Sequence, residues 1–284
     1  MNKDFRVSYY QVEITGTERF ENFLLRINQI PVERRLGAHN IRMEGINFRP
    51  EVAMWEGFIE RVRMTNLPEK VNRTNGTREG LPLADDEGLS EVAAFIYKPE
   101  QSVLLIQKSQ YAPSTWALAE YIQEKCMCGP IGFNCVLKPD VIERLNRIST
   151  MIRFEFKTAR VNPESLANTT GSTGDFLNSL SLTGYQQADM VLSAKRDSGG
   201  LSRWLKTLAL AMRRNVTDHV KTIKVTGYDN EGHKDILDIL EYKLEDKVTV
   251  NVTERTISFE IRRGALYTSY GRYRDVLSRF LVRN

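Results

Sequence analysis

Histidine and cysteine are scarce: the 284 residues hold three of each. His39, His219 and His233 are scattered, so spacing assembles no Ser-His-Asp or Cys-His set. Cys126, Cys128 and Cys135 fall within ten residues and are odd in number, which makes a poor disulfide framework. The Cys-x-Cys pair starts a zinc pattern without a fourth ligand nearby, and buried thiols are the expected reading. Phosphate-cradling glycines are missing too. No Walker motif and no GxGxxG behind a strand occurs, so nothing warrants a nucleotide, and no cofactor is expected. The His-x-Glu and Pro-Cys-x-x-Cys signature of deaminases is absent. No apolar run reaches about eighteen residues, so no segment is expected to span a membrane. The opening MNKDFRVSYYQVEI lacks the apolar core of a signal peptide and turns at once into a strand pattern. A cytoplasmic protein is expected.

What is present is enough apolar material for real cores, at 41% hydrophobic residues. The net charge is only +4, but it is unevenly spread. Residues 79–120 carry seven acids and two bases, whereas 186–224 carry eight bases and three acids. From Arg255 onward there are seven arginines and two acids. Positive charge gathered in the second half points to a polyanion partner.

Periodicity gives mixed elements throughout. FRVSYYQVEI alternates as a strand, and TERFENFLLRINQ places Phe20, Phe23, Leu24 and Ile27 on one helical stripe, with Thr17 as cap and Pro31 as stop. Two strands pair around Arg49-Pro50, and two more around Pro99-Glu100. Between these pairs, residues 65–83 form a long polar loop. A helix follows Ser114 or Thr115, and Val141, Leu145 and Ile148 share a face of another. MIRFEFKTARV and ADMVLSAKR read as strands; Asn162-Pro163 and GGLSRWLKTLALAMRR read as helix starts. A hairpin turns at Asp229–Gly232, KVTVNV and TISFEIR read as strands, and LYTSYGRYRDVLSRFLV as a closing helix. The expected fold is α+β, with two mixed domains of largely antiparallel sheet and packed helices, over 1–140 and 150–284.

Glu155-x-Lys157 projects a carboxylate and an amine from one strand face, and with Asp140 upstream it suggests a metal-dependent nuclease. Such spacing also arises in any solvated strand, and Asp140 after Pro139 fits a helix first turn. Asp85, Asp86 and Glu87 form an acidic run before an apolar strand; a solvated loop or partner contact fits better than a metal site. For nucleic acid, the residues expected to neutralise phosphates are Lys195, Arg196, Arg203, Lys206, Arg213, Arg214, Lys221, Lys224, Arg272 and Arg274. No helix-turn-helix or other reading head is visible, so backbone contacts are expected.

The block LADDEGLSEVAAFIYKPEQSVLLIQKSQYAPSTWALAEYI resembles the RexA-like phage exclusion proteins. The shared features are Asp85, Asp86 and Glu87, then Phe95, Tyr111, Pro113, Ser114 and Thr115. In the second half the order of elements agrees, from Ala194-Lys195-Arg196-Asp197 to the turn at Tyr228–Gly232. The resemblance implies a dimeric DNA-binding protein of anti-phage defence that signals to a membrane partner and is not an enzyme. A metal-dependent nuclease using Glu155 and Lys157 is the alternative, as is a protein-interaction sensor that binds no DNA.

Overall fold

The structure is a computed structural model and describes residues 2–109, 111–158, 188–195, 200–201, 220–252 and 256–280. Its strands are β1 (Asn2–Ile14), β2 (Ile41–Arg49), β3 (Met54–Arg63), β4 (Lys70–Val71), β5 (Arg78–Glu79), β6 (Leu89–Lys98), β7 (Val103–Lys108), β8 (Ile131–Cys135), β9 (Thr150–Thr158), β10 (Ala188–Ser193), β11 (Val220–Tyr228), β12 (Lys234–Asp238) and β13 (Glu245–Asn251). The described helices of eight residues or more are α1 (Phe20–Gln29), α2 (Thr115–Cys126), α3 (Pro139–Arg147) and α4 (Phe259–Phe280). The fold is α+β, and every strand pair among the described residues is antiparallel.

Seven strands make the larger sheet, in the order β13-β1-β7-β6-β3-β2, with β8 also on β1. Alternation sorts its two faces. Ala93, Phe95 and Tyr97 of β6 join a core with Phe20, Phe23, Leu24 and Ile27 of α1 and Leu118, Tyr121 and Ile122 of α2. Ala94 and Ile96 point the other way, onto Leu266, Tyr270 and Leu277 of α4. Each Leu, Ile or Phe side chain among them contributes about 1.5–3 kcal/mol on burial. The smaller sheet runs β10-β9-β11-β12, and its Phe154, Phe156, Ile223 and Val225 continue the first core.

The sequence division at 140–150 separates most of the two sheets, yet β13 and α4, which follow it, belong to the larger one. Strand β13 pairs β1 from Asn2↔Asn251 to Ser8↔Glu245. Three further expectations are corrected. TISFEIR is no strand: Phe259 opens α4, and Ser258 Oγ accepts from the Ile261 amide at 3.4 Å, as a helix cap does. Helix α1 starts at Phe20 after Arg19, three residues beyond Thr17, with no side-chain cap. Strand β8 lies where no strand was expected. The two helix starts after Asn162 and Gly200 lie outside the described residues.

The free side of β2 is guarded. Tyr121 Oη accepts from the Met43 amide at 3.2 Å, and the Gly37 amide donates to Ile41 O at 2.9 Å. Beyond them Gly45, at φ +59, breaks register between Glu44 and Asn47. A bulge of this kind needs a left-handed residue and twists an edge away from further pairing.

Candidate phosphate-binding face

The acidic run is a turn. The Glu87 amide donates to Ala84 O at 3.0 Å, and Glu87 Oε2 accepts from the Ala84 amide at 3.0 Å. Glu87 therefore closes the turn on itself, leaving Asp85 and Asp86 exposed at its tip. The preceding polar loop carries the β4–β5 ribbon, pinned by Lys70–Glu79 at 2.8 Å.

Glu155 and Lys157 stand on the solvent face of the smaller sheet within a ladder of compensating charge. Arg153 Nε meets Glu155 at 2.9 Å, and Lys157 meets Asp189 at 3.5 Å. Lys224 lies opposite both Glu155 and Asp238. Asp140 sits in the first turn of α3. Among the described residues, the one cluster of possible metal donors is Asp229, Glu231 and His233, in the β11–β12 turn. There Asp229 Oδ1 is occupied by the amides of Glu231 at 2.9 Å and His233 at 2.8 Å. The thiols of Cys126 and Cys128 face the carbonyls of Phe23 and Ile122, and Cys135 is buried.

Of the ten cations expected to contact nucleic acid, Arg196, Arg203, Lys206, Arg213 and Arg214 lie outside the described residues, as does His219. Lys195, Lys221 and Arg274 are exposed. Arg272 is bound to Asp246 at 3.1 Å and to the Lys247 carbonyl. Two other tail arginines turn inward. Arg262 donates to Val92 O at 3.0 Å and Gln107 Oε1 at 2.9 Å, while Arg263 reaches Glu56 at 2.9 Å. Part of the tail's charge thus holds α4 on its sheet, and burial pulls the Arg262 guanidinium below its ordinary range.

A denser positive feature is assembled by the larger sheet. Arg6 of β1 lies directly opposite Lys108 of β7 on one side and Lys247 of β13 on the other. Residues directly opposite share a face, with Cβ atoms about 4.5–5.5 Å apart. This is the face away from α4, because Phe5 and Val7 alternate into the α4 side. Lys108 is met by Glu245 at 3.0 Å and Lys247 by Asp4 at 2.7 Å. The Lys247 and Thr249 hydrogen bonds hold the Asp4 carboxyl below its usual range. Two acids face three cations, so Arg6, exposed, is the member of the row without a counter-charge among the described residues. The hydroxyls of Ser8 and Thr249 flank it on the same face. Like charges directly opposite are destabilising in a sheet, so the row is poorly explained by folding. It can neutralise a linear array of anionic oxygens. No sequence signal announced it, because positions 6, 108 and 247 meet only through strand order.

The fold defines an antiparallel α+β protein whose larger sheet is completed by a late strand and covered by the helix after it. Within that class, residues 2–270 match a family described as a family of unknown function (DUF6731), and the chain belongs to this family. No curated protein matches it.

Proposed function

We propose that the protein binds the phosphate backbone of nucleic acid, largely without reading sequence, and does so in anti-phage defence. The observation that carries the binding is the Lys108–Arg6–Lys247 row, an exposed line of cations across three strands. Arginine and lysine neutralise phosphates and release condensed counterions, which needs no base contact. The basic stretch 186–224 supplies further charge of the same sign. The defence setting, a dimer and a membrane partner come from the RexA-like resemblance alone. A cytoplasmic location belongs to the same proposal; among the described residues no helix is long and apolar enough to cross a membrane.

Fluorescence anisotropy of labelled duplex and single-stranded DNA, from about 50 to 200 mM salt, tests the binding. Arg6, the member of the row without a facing acid, contributes a log–log slope of about −0.9 to the total on duplex. Absence of binding at the lowest salt would refute the proposal.

A further inference from the structure

Strand β3 ends in a pair of cations on the opposite side of β6 from the row. Arg61 and Arg63 are two residues apart, so both project from one sheet face about 6.6 Å apart along the strand. Arg61 faces Ile41 and Glu91 across the sheet, and Arg63 faces Leu89. The Glu91 carboxylate turns to Arg63, at 3.7 Å. Arg61 has no ion pair among the described residues. Both Nε atoms are buried and have no hydrogen-bond partner among the described residues, a condition shared there with one other side-chain atom, Glu21 Oε2. The Arg63 guanidinium also lies over the Tyr111 ring, 5.3 Å from its centre.

Half-buried arginines are ordinarily paired, and an unmet buried donor is costly to retain. Two such donors side by side, with a single loosely placed carboxylate for two positive charges, leave one charge and two Nε–H donors unanswered among the described residues. A small turn of either guanidinium presents Nε–H and Nη–H together, the geometry that grips a tetrahedral oxyanion at two oxygens. The Tyr111 ring beneath it keeps the Arg63 guanidinium at this end of the strand as it turns. We propose that Arg61 and Arg63 form a discrete oxyanion site that takes a dianionic phosphate group. The same chemistry is offered by a phosphorylated nucleic-acid end and by free phosphate. The site is separate from the Arg6 row and does not depend on backbone binding there.

The test is thermal unfolding in inorganic phosphate against chloride of equal ionic strength. A rise in Tm of about 3 °C is expected at about ten times Kd. Arg61→Met and Arg63→Met should each weaken phosphate about tenfold. Should a methionine variant fail to fold, Arg61→Lys and Arg63→Lys keep the charge, lose the fork and should weaken phosphate likewise. Competition by 5′-phosphorylated and 5′-hydroxyl oligonucleotides then separates the sources. Stronger competition by the phosphorylated end assigns the chain end, and equal competition assigns free phosphate. No phosphate-specific shift in the wild-type protein, or a shift that survives both lysine variants, overturns the site. The Arg6 titration is read separately, so either proposal can fail alone.

Discussion

Glu56 of β3, 1% exposed, meets Arg263 of α4 at 2.9 Å. The same carboxylate accepts from Arg49 Nε at 2.8 Å and from Tyr267 Oη at 3.0 Å. Three donors converge on one buried acid and tie α4 to the sheet. Removing one partner of such a set leaves the rest buried and uncompensated. Glu56→Gln should lower stability by about 3 kcal/mol. Urea denaturation checks this, with the midpoint lowered and the slope unchanged.

Arg6 should show opposite effects on stability and binding. Arg6→Thr removes repulsion from Lys108 and Lys247, so Tm should rise by about 1–2 °C. DNA affinity should fall, and the salt slope should shrink by about 1. A variant that loses both stability and binding would mark Arg6 as an ordinary structural residue.

In the acidic turn the three carboxylates should separate by role. Asp85→Asn and Asp86→Asn should leave stability within about 0.5 kcal/mol of wild type. Glu87→Ala opens the bond to the Ala84 amide and should cost about 1 kcal/mol. Denaturant midpoints of the three variants decide whether the turn is organised as described.

Alkaline pH should weaken the fold through its buried phenols. Burial pushes Tyr121 up to about 12, and it pushes Tyr9 and Tyr267 above the usual phenol range, the latter helped by Glu56. A raised folded pKa favours the neutral form in the fold. The resulting stability is complete below the unfolded phenol value, about 10, and is lost as pH climbs through the folded values. Unfolding free energies measured from about pH 9 to 11 should therefore decline. Absorbance at the tyrosinate band should show at least three phenols appearing only on unfolding. Burial also pushes the Cys126 thiol up to about 11, so it should alkylate about 100-fold more slowly in the folded protein.

Local signals are legible in the sequence where one face has to be buried. The stripe Phe20, Phe23, Leu24 and Ile27 became the buried side of α1, and the turn at Pro99 joined β6 to β7. TISFEIR misled because its period-2 alternation over seven residues competes with a helix pattern that only emerges further on, at Leu266, Tyr270 and Leu277. Strand β8 is five residues long after Gly129-Pro130, too short to carry a period. The site was less legible. Arg61-x-Arg63 can be seen as spacing, but their buried donors cannot. The Arg6 row needs three strands from remote parts of the chain in register.

The pairing of β1 with β13 also constrains how the protein is made. Translation proceeds at about 5–20 residues per second, so β1 waits roughly 12–50 seconds for β13 and then α4 to emerge. Until then Phe5 and Val7 have neither Val248 nor Leu266 against them, and one edge of β1 is open along Asn2–Ser8. A ribosome stalled before residue 245 would release a chain with an unpaired apolar strand, a ready substrate for chaperones and proteases.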